Sequence, residues 1–239
     1  MKVLSYKDIE EIAEQFFALY KQLPEVKDKT IYRVEPELLL EKILGLKTKN
    51  FHMTLDASVL GMTSYEYIDL FFDNGLEDNH CTLDGNTVLI EKDLLDDERK
   101  NGRKNFTIMH EGAHHILKIV FPDDYGVATV SPTVHYHKEK RESVKKITDW
   151  EEWQADTLAA SLLMPKEVIF RGMELIGLPN RIPVLSSICP GDGYKRFCYL
   201  ADFIGVSRKA LAIRMKQLGV IGKEFIGNPY GVIDINMEV

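Results

Sequence analysis

Apolar residues recur at helical spacing early in the chain, at Ile9, Ile12, Phe16, Phe17 and Tyr20, behind a Ser5/Asp8 pair placed as a capping box. The pattern predicts an amphipathic helix over 6–22, ended by Pro24. A second helix should start at Pro36, bury Leu39, Leu40, Ile43 and Leu44, and stop near Gly45. Over 50–91 the period changes, with short apolar or alternating stretches at 59–62, 67–72 and 87–90 separated by Gly61, Asp73-Asn74-Gly75 and Asp84-Gly85-Asn86. This reads as a small, mostly antiparallel sheet.

Helical spacing returns over 105–120, where Met109, Ala113, Ile116, Leu117 and Val120 form a stripe suited to packing on that sheet, and Phe121-Pro122 closes it. Residues 122–147 read as loop, including the basic run 138–146, which is expected to be solvated. Thr148 opens a further helix, with Glu151 as its capping partner and Ala155, Ala159, Leu162 and Leu163 inside it, interrupted at Pro165. Gly, Pro and Ser cluster over 177–193, the expected internal boundary. Beyond it, a helix ends at Gly205 and Ser207 caps another that reaches Leu218, which resembles a helix-turn-helix. The expected class is α+β. An N-terminal helical segment (1–34) and a core (35–180) are followed by a helix-turn-helix-like segment (181–239), packed on or beside the core.

Composition narrows the function. With 45% hydrophobic and 28% charged among 239 residues, the chain can bury a core. Its net charge of -7 argues against a surface that binds nucleic acid throughout. Charges within the first helix exclude a signal peptide there, and no apolar run is long enough to span a membrane. Cys81, Cys189 and Cys198 include no Cys-x-x-Cys pair, which suits a reducing cytoplasm. One island is basic: Lys195, Arg196, Arg208, Lys209, Arg214 and Lys216 face a single acid, Asp202, over 194–219. These helices could simply pack beside the core, or Arg208, Lys209 and Arg214 could contact an acidic partner or DNA phosphates.

The chemistry centres on His110-Glu111-Gly112-Ala113-His114. Four residues advance a helix by about 400°, so the two histidines project from one side and can share a metal ion. Glu111 lies about 100° round, placed to face a water as general base without being a ligand. A catalytic site needs a third ligand, for which Glu151, Glu152, Asp156, His135 and His137 are candidates. With Glu151 assigned to helix capping, Glu152 is the expected ligand, and Asp156, four residues on, the carboxylate that supports a ligating histidine. His135 and His137 alternate around Tyr136 and could form a separate metal site, stabilise an oxyanion, or lie on the surface of the loop.

Phe106-Thr-Ile-Met-His-Glu-Gly-Ala-His114 followed by Glu152-Trp-Gln-Ala-Asp156-Thr-Leu-Ala-Ala-Ser-Leu-Leu-Met-Pro165 resembles the ImmA/IrrE family of zinc metallopeptidases. The resemblance also takes in 60–63 and 87–90 and spans about 35–220; Leu158 and Gln154 depart from residues common in the family. It implies a zinc-dependent endopeptidase, in a cytoplasmic bacterial or phage protein often carried by mobile elements, acting on a helix-turn-helix transcriptional repressor. The rival expectation is a DNA- or partner-binding regulator with a structural or vestigial zinc site.

Overall fold

The computed structural model describes residues 2–72, 75–76, 79–125, 134–138 (backbone course), 150–182 and 192–221. Contacts divide the chain into two compact units, Met1–Asp28 with Glu35–Leu163, and Lys29–Val34 with Met164–Val239.

The first unit begins with α1 (Tyr6–Tyr20), whose capping box is formed: Asp8 N donates to Ser5 Oγ at 3.3 Å and Ser5 N to Asp8 Oδ2 at 2.8 Å. A short α2 (Pro36–Leu39) widens into a π-turn (Leu40–Leu44) and stops at Gly45. The strands follow: β1 (Lys47–Phe51), β2 (Val59–Ser64), β3 (Tyr67–Phe71), β4 (His80–Asp84) and β5 (Thr87–Glu91). Two 3₁₀ turns, Lys92–Leu94 and Glu98–Lys100, lead into α3 (Asn101–Val120), then come β6 (Val134–Lys138) and α4 (Trp150–Leu163).

The main sheet runs β1-β5-β2-β6, and β3 pairs with β4 in a separate two-stranded sheet. All pairs are antiparallel except β1 with β5, which run parallel from Lys47↔Thr87 to Phe51↔Glu91. Strand β2 is buried along its whole length because both its faces are covered. Helix α3 packs against it, while Val59 and Met62 join a cluster with Phe51, Met53, Cys81, Leu83 and Leu89. Helix α4 is packed between α3 and α1. Tyr6 meets Trp153 edge-on at 5.0 Å, and Gln154 Oε1 accepts from Leu4 N at 2.8 Å, so the N-terminal helix braces α4 from behind.

Strand β6 and the start of α3 are among the elements that differ from the sequence reading. Strand β6 lies within the stretch read as loop, pairing with β2 from Ser64↔Val134 to Val59↔Lys138. Its five residues, Val-His-Tyr-His-Lys, alternate but are too few to set a strand apart from extended loop, and the pairing is supplied by β2, which is distant in sequence. Helix α3 starts at Asn101, because the preceding 3₁₀ turn feeds it before its apolar stripe begins.

The second unit holds α5 (Lys166–Ile176), α6 (Asp192–Ile204) and α7 (Arg208–Gln217). The division falls at Leu163/Met164, whereas the sequence reading placed it near 180. Pro165 sits at φ -56, ψ 145 and breaks the helical run there, and α5 then packs on α6. Gly172 allows that approach, since a Cβ on it would meet Leu200 Cδ1 at 2.7 Å. Gly205 takes φ +80 between α6 and α7, and Ser207 Oγ accepts from Ala210 N at 3.1 Å.

One expected contact residue changes its role. Arg208 and Lys209 are exposed, but Arg214 is only 3% exposed and its Nε donates to Met164 O at 3.1 Å. It is therefore withdrawn as a contact for DNA or a partner, because its guanidinium satisfies a buried carbonyl. Among the described residues no helix is long and apolar enough to cross a membrane.

Replacing Arg214 with Leu leaves the Met164 carbonyl without that donor and should cost about 1–3 kcal/mol. Arg208→Ala should stay within about 0.5 kcal/mol of wild type in chemical denaturation.

Candidate metal centre

Helix α3 carries His110 and His114 one turn apart, both fully buried, with Nε2 atoms 3.2 Å from each other. Helix α4 brings Glu152 against them, Oε2 at 3.3 Å from His110 Nε2 and Oε1 at 3.4 Å from His114 Nε2. Two zinc ligands in a tetrahedral site with bonds near 2.0–2.1 Å lie about 3.3 Å apart. The two Nε2 atoms have that spacing, each also has it to one or other Glu152 oxygen, and the group could hold a metal ion.

The far nitrogen of each ring meets another acid of α4. His110 Nδ1 lies 3.0 Å from Asp156 Oδ1, the support expected from sequence. His114 Nδ1 lies 3.6 Å from Glu151 Oε1. Sequence reasoning missed this second contact by assigning Glu151 to helix capping; Thr148, the proposed cap, lies outside the described residues. The signal was available in the chemistry: two ligating imidazoles leave two Nδ1 atoms to be oriented, and Asp156 can serve only one.

Electrostatics follow from this packing. Burial alone would lower the pKa of His110, but its contacts with Asp156 and Glu152 outweigh that and lift it to about 10. His114 is also raised, with Glu151 and Glu152 overcoming the effect of burial. Burial works against the charge of Glu152, yet the two imidazoles hold its carboxyl well below the usual range. Without a metal, protons supply the positive charge at this centre; a divalent ion would take their place.

Glu111 stands apart. It is fully buried, and neither carboxylate oxygen has a hydrogen-bond partner among the described residues. Burial pushes it up to about 7 despite the neighbouring His110 and His114. An unsatisfied buried carboxylate is costly, so Glu111 calls for a partner beyond the described residues. Its place is set by Gly61 on β2, where an added Cβ would lie 2.6 Å from both Glu111 Oε1 and Thr107 Cγ2. The pairing of β2 with β6 shifts register between Val59 and Gly61, a bulge-like irregularity beside the site of the kind that re-aims a strand.

The adjacent His115 turns elsewhere. Its Nε2 is 2.7 Å from Thr63 Oγ1, and burial, helped by His114, lowers it to about 4, so the ring is neutral at pH 7. Tyr65 donates to His114 O at 3.1 Å, adding a further tie between the sheet region and α3. His137 and His135 occupy β6 opposite Gly61 and Thr63, on a strand rather than a loop, and their side-chain roles lie outside the described residues. Gln154 is buried, with its Nε2 donating to Trp150 O at 3.0 Å, and is no ligand.

No family model and no curated protein sequence matches the chain.

Glu151→Gln keeps the size of the side chain and removes its charge from His114, so affinity for Zn2+ in chelator competition should fall about 10- to 100-fold. Gly61→Ala forces Glu111 and Thr107 to move and should lower stability by about 1–3 kcal/mol in thermal unfolding.

Proposed function

We propose that the chain is a zinc-dependent endopeptidase, with zinc held by His110, His114 and Glu152. The observation that carries this reading is the pairing of a ready-spaced His/His/Glu donor set with a buried carboxylate, Glu111, that lacks a partner among the described residues. When bound there, zinc would supply Lewis acidity toward a peptide carbonyl and bring water ionisation to about pH 7.

The residues of the chain do the rest. Asp156 and Glu151 orient the imidazoles from behind, so that their Nε2 atoms converge. Glu111 takes the proton of the attacking water on its carboxylate and returns it to the departing amine. Gly61 keeps the β2 backbone close to that carboxylate.

The resemblance in 106–114 and 152–165 supports a cytoplasmic protease whose substrate is a helix-turn-helix transcriptional repressor. A second reading, a regulator that binds an acidic partner, is favoured by the exposed Arg208 and Lys209 at the start of α7. In that reading α6, the turn at Gly205 and α7 form a helix-turn-helix-like docking element.

Glu111→Gln separates the two readings. Cells producing the wild type should contain new protein N-termini, detected by terminal proteomics, that are missing with Glu111→Gln although the variant still retains zinc. If the same termini persist in the variant, the peptidase reading fails.

A further inference from the structure

We propose that His52, Glu91 and Asp93 form a second divalent-cation site, separate from the centre on α3 and α4. It lies where the parallel strands β1 and β5 end: His52 follows the last residue of β1, Glu91 is the last residue of β5, and Asp93 lies in the next 3₁₀ turn. His52 Nδ1 is 3.0 Å from Glu91 Oε1 and 3.5 Å from Asp93 Oδ1. Those separations bracket the spacing of about 3.3 Å expected for ligands sharing a tetrahedral ion.

The charge pattern calls for a cation. The Glu91 side chain is fully buried, with Oε2 accepting from Met53 N at 2.9 Å and Oε1 from Asp93 N at 3.5 Å. Backbone donors orient this carboxylate without neutralising it, and a buried charge must be paired or must coordinate a metal. The cationic groups beside it are the His52 imidazole, to which Asp93 adds a second negative charge, and Lys100, whose Nζ donates to the Asp93 carbonyl at 3.1 Å rather than to either carboxylate. One nitrogen and two carboxylate oxygens suit zinc or manganese rather than a softer ion.

The outer side of the site is open, His52 being 32% and Asp93 48% exposed, so an ion can enter and keep water. Bound there, it would tie β1, an edge strand whose first four residues are exposed, to β5 and to the turn that leads into α3.

Metal counting tests the proposal. Chelator-stripped protein is reloaded with Zn2+, passed through gel filtration and analysed by mass spectrometry for zinc, with folding checked by circular dichroism. Wild type should retain two equivalents, His110→Ala/His114→Ala one, and His52→Ala/Asp93→Asn one. In the His110→Ala/His114→Ala protein, zinc should still raise Tm, and adding His52→Ala/Asp93→Asn should abolish that shift. One equivalent in both wild type and His52→Ala/Asp93→Asn, two in that variant, or none in the wild type overturns the second site. A wild type with one equivalent, kept by His110→Ala/His114→Ala and lost from His52→Ala/Asp93→Asn, would support the second site while removing the first.

Discussion

The packing of α3 on α4 places two imidazoles and a carboxylate in a space from which water is largely excluded, and the rest of the first unit is arranged around that contact. His110, His114 and Glu111 are all fully buried, so none can rely on bulk solvent for its charge or its hydrogen bonds. Each imidazole is therefore held at both nitrogens, by Glu152 on one side and by Asp156 or Glu151 on the other. Three acids on one helix serve two bases on another, which makes the register between the helices a chemical requirement as well as a packing preference. The N-terminal helix helps to keep that register by bracing α4 through Tyr6 and through Leu4 on Gln154.

The sheet contributes a different constraint, which is closeness. Strand β2 can approach the helix because Gly61 has no side chain, and the carboxylate of Glu111 occupies the space that a Cβ would need. Thr63 on the same strand engages His115, so the polar residues between His110 and His115 on α3 are set against β2 and α4 together. Such a cluster lowers stability when incomplete, since a partly satisfied polar network is worse than an apolar core. A polar cluster of this kind among buried apolar residues marks a candidate site.

Much of this was legible in the residues. The i, i+4 spacing of His110 and His114 and the pairing of Glu152 with Asp156 depend on helical periodicity, a local property. The capping box of α1 was readable for the same reason. Glu151 was not, because its capping signature and its contact with His114 compete for one carboxylate, and only the tertiary packing decides between them. Strand β6 was hidden because its partner β2 lies about seventy residues earlier. Arg214 counts as basic in any sequence tally, yet the fold buries it on the carbonyl of Met164. The break at Pro165 was visible as a helix interruption, but its weight as a boundary came from α5 packing on α6.

Whether α3 and α4 hold one metal ion between them is decided by anomalous diffraction at the zinc edge from crystals of the zinc-loaded protein. An anomalous peak should lie about 2.0–2.2 Å from His110 Nε2, His114 Nε2 and a Glu152 oxygen. Glu111 should lie outside bonding distance of that peak. Density for direct hydrogen bonds among the three side chains with no peak between them, in zinc-loaded crystals, would contradict a shared metal ion.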